Sequence, residues 1–443
     1  MKLGQLNTIM LRAIKISVLF LLPSLGIQAQ EKLSFEAALA IALENNHDIQ
    51  LSRFDEEVAK NNASKLANGY LPSINATGGS NWSAYEGNNQ TINNDISYEA
   101  NNSYNYNAGV TLNYTLFDGF GRKFRLKQSK GTKQLSSIEL RQVTENSILQ
   151  LSRSYYEVAR LQQQCASLDS TLVISSLRFL RGKYGFEFGQ STPLDILNAE
   201  VDFINDSINL EGSRQQLENT RRSLNRSMGV ELTKTYLIDE KVVVDEKLAL
   251  INVAELALEN STAILTAKQI KENARLGLAQ NRSAWFPNLS INGGYLYRGS
   301  DDPNGAFLVG SNSYGPNAGV SLSWSLFDGN NRTRIQNAEV QIKQSEVSLA
   351  NSQEQVKMTA LNTQSAFQNA LFVMSSREKT LSTTKQNFER SREALKQGVI
   401  TSVEFRQAQL NLLSAELQLS QARYEAINLE LEIRALIGGM KGE

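Results

Sequence analysis

Two side chains in this 443-residue sequence stand alone of their kind, His47 and Cys165. Acid–base chemistry near neutral pH is most often a histidine's task, and covalent or redox chemistry a cysteine's, but each needs partners held close to it. The sequence offers none. It has no Ser-His-Asp set, no ligands at metal spacing and no glycine loop shaped for phosphate, and one cysteine builds no disulfide framework. His47 and Cys165 are therefore expected at the surface or in packing, with no catalytic residue, no cofactor and no metal. Lys plus Arg equals Asp plus Glu at 45 each, so no basic patch supports a nucleic-acid partner.

In place of reactive groups the chain carries a repeat. Asn107 to Arg122 returns as Asn317 to Arg332, 210 residues later, with ten of sixteen positions identical. The exchanges Thr111/Ser321, Asn113/Ser323, Tyr114/Trp324 and Thr115/Ser325 keep chemical type. Chance does not preserve such a match over that distance, so the chain is read as two copies of one unit.

Each copy alternates. Tyr104, Tyr106, Ala108, Val110, Leu112, Tyr114 and Leu116 take one side, and Asn105, Asn107, Gly109, Thr111, Asn113 and Thr115 the other. In the second copy Ala318, Val320, Leu322, Trp324 and Leu326 oppose Asn317, Gly319, Ser321, Ser323 and Ser325. This is the pattern of a strand with one apolar and one polar face. Weaker strands of the same character follow Pro72 and Pro287, which end the preceding helices because proline cannot continue the helical ladder. Asn-rich residues 88–102 and residues 299–313 are expected to be polar links, giving one long-looped hairpin per half. Pro316, within the fourth strand, predicts an edge or a bulge.

The elements that must position these strands are helical. Leu33 to Asn68 and Ala254 to Ser283 have helical period, and from Arg122 and Arg332 helix is expected for about sixty residues, roughly 90 Å at ~1.5 Å per residue. Val158, Leu161, Cys165, Leu168 and Leu172 step by three and four. So do Phe405, Ala408, Leu412, Ala415, Leu419, Ala422, Ala426, Leu429, Ile433 and Leu436. Such seams require a neighbouring helix. The helices fold back at tips holding Gly189 with Thr192 and Gly398 with Thr401, where Thr192 with Asp195 and Thr401 with Glu404 have capping-box spacing. Asp118 and Asp328 are read as helix caps.

The resulting organisation has an export signal over 1–29, cleaved after Ala29, because three basic residues precede an apolar run too short to span a bilayer. No cysteine adjoins that site, so no lipid anchor is expected there. A first repeat covers 30–229, with hairpin 71–117 and tip 183–193. A connector over 230–252 breaks the period, and a second repeat covers 253–443, with hairpin 287–328 and tip 397–402.

Two-faced strands fit half of a soluble sandwich or a membrane barrel. The small, neutral polar face and aromatics crowded toward strand ends favour an outer-membrane barrel. On that reading Asn105, Asn107, Thr111, Asn113, Ser321 and Ser323 line the lumen, while Tyr104, Val110, Leu112, Tyr114, Val320, Leu322 and Trp324 face lipid. Four strands cannot close, and lipid tolerates no open sheet edge, so the chain must assemble. Two, three or four copies would give eight, twelve or sixteen strands, and periodicity does not choose among them.

The paired order of helix, Pro72 or Pro287, hairpin, Leu-Phe-Asp-Gly (116–119 and 326–329), long helix and Gly-x-x-Thr tip (189–192 and 398–401) resembles the TolC family of outer-membrane efflux proteins. The resemblance covers nearly all of the mature chain. It implies a homotrimer whose twelve-stranded β-barrel is continued by a long α-helical coiled-coil barrel into the periplasm. It also implies a periplasmic adaptor (membrane fusion protein) contacting the tips at Gly189, Thr192, Gly398 and Thr401, and an inner-membrane pump of RND, ABC or MFS type. The channel would be a passive conduit for small molecules, or alternatively the exit duct of a type I protein secretion system. A secreted coiled-coil scaffold or adhesin accounts for the seams and the signal but leaves four two-faced strands without a purpose.

Overall fold

The structure, a computed structural model, describes residues 32–90, 95–239, 243–301 and 310–439. The expected export signal lies outside them. In chain order the elements are β1 (Lys32–Leu33), α1 (Phe35–Asn45), α2 (His47–Asn62), β2 (Ser73–Gln90), β3 (Asp95–Asp118), α3 (Gly121–Glu187), α4 (Pro193–Met228), β4 (Leu237–Ile238), α5 (Val253–Asn260), α6 (Thr262–Arg282), β5 (Asn288–Asp301), β6 (Gly310–Ser323), α7 (Gly329–Lys396) and α8 (Ser402–Leu436), with single 3-10 turns at Glu246–Leu250 and Ser283–Trp285. The chain divides into two compact units, Met1–Ala42 with Leu151–Lys241 and Leu43–Gln150 with Val242–Glu443.

In the first unit β1 and β4 pair in parallel, Lys32 opposite Leu237 and Leu33 opposite Ile238. The connector, read from sequence only as a break in period, thus contributes a short strand. Tyr155, fully buried, donates its hydroxyl to Leu33 O at 2.8 Å and stands edge-on to Phe35 with ring centroids 5.5 Å apart. Val158, Leu161 and Leu168 of the expected seam are buried, while Leu172 and Cys165 are half-buried. Cys165 Sγ lies 3.3 Å from Ser213 Oγ. Toward the tip, α3 and α4 are joined by stacked Phe179 and Phe203 and by Arg178 Nη1 to Asp202 Oδ2 at 3.0 Å.

The second unit holds the four-stranded sheet and the longest helix, α7, whose 68 residues span about 100 Å at ~1.5 Å per residue. Its core joins Val356, Ala360 and Phe367 of α7, Ile433 of α8, Val253, Ala254 and Ala257 of α5, and Ile264 of α6. Along α8, Phe405, Ala408, Ala415, Leu419, Ala422, Ala426 and Ile433 are buried, so the seam is real. Its alternating alanines leave room for α7 to lie close, and Phe388 of α7 meets Phe405 with ring centroids 5.5 Å apart.

Three expectations are corrected. The segment read as one helix from Leu33 to Asn68 is two, because Asn46 turns extended and its side chain accepts from Asp48 N (2.9 Å) and Ile49 N (3.2 Å). An Asx cap competes with helix wherever Asn can reach the backbone two and three residues on. The second copy breaks at the matching place, Ser261 between α5 and α6. The links expected over 88–102 and 299–313 are mostly strand: β2 runs to Gln90, β3 starts at Asp95, β5 runs to Asp301 and β6 starts at Gly310. Asn, Ser and Gly are poor strand formers in isolation, and here cross-strand pairing overrides propensity. Finally, α3 continues to Glu187, so the first tip begins at Phe188 and not at Lys183.

Glu145 of α3 is buried within the second unit, where its carboxylate accepts from Arg141 Nε at 2.8 Å and from Thr262 Oγ1 at 3.3 Å. Burial raises its pKa above the usual 4.5, only partly offset by Arg141 and Thr262. The folded protein therefore holds this proton more tightly than the unfolded chain. Stability is fully present below about 4.5 and declines as pH rises through the raised value. Glu145→Gln is expected to remove that decline, so its melting temperature relative to the unaltered protein climbs from pH 4 to pH 8. Parallel melting curves across that range would count against the assignment.

Candidate functional site

The sheet is fully antiparallel in the order β2-β3-β5-β6. Residues directly opposite in a ladder project to the same side, so the register fixes the faces. Asn105 lies opposite Asn81 and Ser300, Asn107 opposite Gly79 and Arg298, Thr111 opposite Asn75 and Gly294, and Asn113 opposite Ser73 and Asn292. Beyond them Ser290 faces Ser321 and Asn288 faces Ser323. All six positions expected on the polar side therefore share one face. On the other face Tyr104 meets Trp82, Val110 lies between Ala76 and Tyr295, Leu112 between Ile74 and Gly293, and Tyr114 opposite Ile291. Val320 lies opposite Ile291, and Leu322 opposite Leu289.

That apolar face is open in the single chain: Ile74, Val320 and Leu322 are each 68 to 70 % exposed. Aromatics close it at both ends. Trp82, Tyr104, Tyr106, Tyr297 and Tyr314 cluster at one, and Tyr114, Trp285 and Trp324 at the other. Tyr104 and Tyr114 are ten residues apart, roughly 33 Å along a strand and about 25 Å once tilted by ~40°, the height of the apolar band of an outer-membrane barrel.

Two details depart from simple alternation. A bulge between Thr115 and Phe117 leaves Leu116 unpaired and brings Phe117 opposite Leu289, so Phe117 takes the apolar position that the sequence assigned to Leu116. β6 stops at Ser323, which places Trp324 just past the strand, its indole Nε1 donating to Trp285 O at 3.1 Å. Leu296, on the polar side, packs across Gly109, where an added Cβ would sit 2.4 Å from Leu296 Cδ2. Pro316 lies in β6, an edge of this sheet, without a bulge.

Where sheet meets helix, Asp118 Oδ2 accepts from Arg122 N at 2.7 Å, and Arg122 donates through its guanidinium to Leu116 O and Gly69 O. Asp328 caps α7 by accepting from Asn330 N at 2.9 Å. Both aspartates thus hold the first turn of a long helix.

At the tips Gly189 and Gly398 have φ of 72°, the left-handed region in which glycine costs nothing. Thr192 N donates to Asp195 Oδ2 (3.0 Å) and Asp195 N to Thr192 Oγ1 (3.2 Å). Thr401 and Glu404 repeat the arrangement at 2.7 and 3.2 Å. These bonds lower both carboxyl pKa values, at Asp195 chiefly through the Thr192 side chain and at Glu404 chiefly through the Thr401 backbone. The caps are therefore in place above the ordinary values of 3.8 and 4.5 and weaken as pH falls through the lowered ones.

Comparison with known proteins decides the family. The family model described as outer membrane efflux protein matches residues 38–230 and 253–439. The chain belongs to the outer membrane efflux protein family. Outer membrane protein TolC of Vibrio cholerae is 25% identical over 303 residues, 66% of this chain and 67% of the relative. The Campylobacter jejuni CmeC outer membrane channel shares the fold with a TM-score of 0.73 at 15% identity, covering 91% of this chain and 85% of that one. The Neisseria gonorrhoeae MtrE outer membrane channel, in an open state, does so with 0.66 at 16%, covering 92% and 89%.

His47 is exposed at the start of α2, and no group of His, Cys, Asp and Glu suited to a metal occurs among the described residues. What the sequence reading did not single out are uncovered apolar stripes in the first unit. Leu194, Leu197, Val201, Ile204 and Ile208 step by three and four along α4 and are each 48 to 65% exposed, and Val173, Leu177, Leu180 and Tyr184, 46 to 55% exposed, do the same on α3. The signal was present in the spacing of these residues, the same spacing that identified the other seams.

Two measurements follow from this geometry. Val110→Arg, near the middle of the Tyr104–Tyr114 span, is expected to cost roughly 2–4 kcal/mol in the membrane, as for arginine at the mid-height of a lipid-facing barrel surface, whereas Thr111→Arg on the other face is tolerated. Recovery of folded, protease-resistant protein from membranes separates the two, and equal recovery would contradict the face assignment. Thr401→Ala removes a cap worth about 1 kcal/mol. Amide exchange at Val403 and Glu404 is expected to speed by about fivefold, with the sheet unaffected.

Proposed function

We propose that this protein is the outer-membrane duct of a three-part export system, a homotrimer that passes small molecules from the periplasm to the exterior without chemistry of its own. The carrying observation is a sheet with one continuous apolar face, one continuous polar face and two free edges, β2 and β6. Strand direction alternates through β2, β3, β5 and β6, so β6 of one copy can accept β2 of the next in antiparallel pairing, and a ring closes without exception to the pattern. Lipid requires that closure, since each unpaired backbone group in hydrocarbon costs several kcal/mol. Three copies give twelve strands, with Asn105, Asn107, Thr111, Asn113, Ser321 and Ser323 lining the lumen and the apolar face, including Tyr104 and Tyr114, against lipid. Membership of the efflux family supports the number.

On this reading the helices continue the duct into the periplasm, and the uncovered stripes of α3 and α4 receive helices of neighbouring copies. The tips built on Gly189, Thr192, Gly398 and Thr401 present rigid, capped turns to a periplasmic adaptor, which couples the duct to an inner-membrane pump. Energy comes from the pump, consistent with a chain that carries no nucleotide loop.

Full-length protein extracted in mild detergent is expected to run as three chains and to open ion channels in planar lipid bilayers. A monodisperse, water-soluble monomer that opens none would overturn the proposal. Gly189→Val together with Gly398→Val, which forces valine into left-handed backbone, is expected to abolish export-dependent tolerance of toxic compounds in cells while leaving the trimer intact.

A further inference from the structure

Across the middle of the sheet the described side chains of the polar face are uncharged except at one place. Among the described side chains from Asn81 to Asn113 on β2 and β3 and their partners on β5 and β6, Arg298 is the single charged group on that face. Its row holds Gly79, Asn107 and Ser313. The guanidinium is exposed, and no ion pair joins it to any described residue. It borders a groove of about 310 Å³ lined on the same face by Asn105, Asn107, Ser300, Ser311 and Ser313. Asp301 is three residues along β5 and so projects to the opposite face. Asp118, the one carboxylate on the polar side among the described side chains of the sheet, lies eleven residues from Asn107 along β3, about 35 Å at ~3.3 Å per residue. That exceeds the ~10 Å screening length at 0.1 M salt several times over, and Asp118 is already engaged by Arg122.

The repeat sharpens the point. Counting from Pro72 and Pro287, the position of Arg298 in the first copy is held by Ser83. The charge therefore enters one copy and not the other, in a stretch of described wall otherwise built of amides, hydroxyls, glycine and Leu296. Its height is that of the Tyr106 and Tyr297 aromatics on the other face, at the end of the sheet remote from the long helices.

We infer that Arg298 is the charge-selecting position of the duct, a ring of three guanidiniums near its outer mouth that favours anions, including anionic groups on exported solutes, and retards cations. This rests on the trimeric duct proposed above. A low-dielectric wall with charges of one sign concentrates the opposite sign within it. Arginine stays ionised under all physiological conditions and presents a planar fork of donors to carboxylate, sulfonate or phosphate groups. The surrounding asparagines and serines supply neutral donors that would hydrate or contact such a group without cancelling the charge.

The test is the reversal potential of single channels in planar bilayers across a tenfold KCl gradient, comparing the full-length protein with Arg298→Lys, Arg298→Gln and Arg298→Glu. The anion-to-cation permeability ratio is expected to hold in the Lys variant. It should fall at least about threefold in the Gln variant and shift to cation preference in the Glu variant, in keeping with the low end of enrichment by a one-sign lining. The unaltered channel should itself lose anion preference between 0.1 M and 1 M salt as the screening length shrinks to ~3 Å, a readout that needs no variant. Channels whose reversal potential is indifferent both to the four side chains and to salt would overturn the role of Arg298 while leaving the duct intact. Failure of the unaltered protein to open any channel would overturn the duct and this inference together.

Discussion

A backbone N–H or C=O in hydrocarbon must find a partner within protein, and the two edges of this sheet present whole rows of them. β2 and β6 are long strands whose apolar sides cannot be left in water and whose edges cannot be left in lipid. Each alone would be an aggregation hazard. In the proposed trimer β6 of one copy would meet β2 of the next in antiparallel pairing with like faces aligned, and that one contact would remove both edges. Two details of the sheet answer to that need: Pro316 sits on an edge strand, and the bulge at Leu116 re-aims Phe117 so that the apolar face continues down to the helix junction.

The helices solve a different problem with the same economy. A helix of about 100 Å cannot be stabilised by its own propensity and gains its stability from packing along a stripe. In the second unit that stripe is covered within the chain, by α8 and the shorter α5 and α6, with Phe367 and Ile433 fully buried at its centre. In the first unit part of it is uncovered, and residues such as Leu197 and Ile208 are as exposed as charged side chains normally are. An exposed stripe with three-and-four spacing has the form of an interface, and scattered surface leucines do not. The sheet edges and the helical stripes therefore make the same demand on different parts of the chain.

Most of this architecture was legible in the sequence because it is written in periods. The strict alternation of β3 and β6 gave the faces, and the heptad spacing of α8 gave its buried seam. The spacing of Thr192 with Asp195 and of Thr401 with Glu404 gave the caps that the hydrogen bonds display. What escaped was whatever depends on competition between local and distant partners. Asn46 divides a segment whose composition is helical, because its own side chain satisfies the backbone there. The Asn- and Ser-rich outer ends of the hairpins are strand because a partner strand is present, and nothing in their own composition announces it. The bulge at Leu116 is invisible to any alternation rule, since it shifts the rule by one residue. The parallel pairing of Leu33 with Ile238 joins segments some two hundred residues apart, which no local pattern encodes.

The duplicated halves also show where selection for the fold stops and specialisation begins. Positions that shape the backbone are held in both copies: the glycines at the tips, the threonine and acid of each cap, the aspartates before the long helices, and the prolines before the strands. Positions on the polar face of the sheet differ more freely between the copies. Ser83 and Arg298 are such a pair, and the difference between them is a full charge introduced into one copy, with no described acid on the same face nearer than Asp118 at the far end of β3. In an assembly of identical chains a single such change is multiplied by symmetry, so a passive conduit can acquire an electrostatic character through one substitution while every strand, cap and seam around it stays as it was.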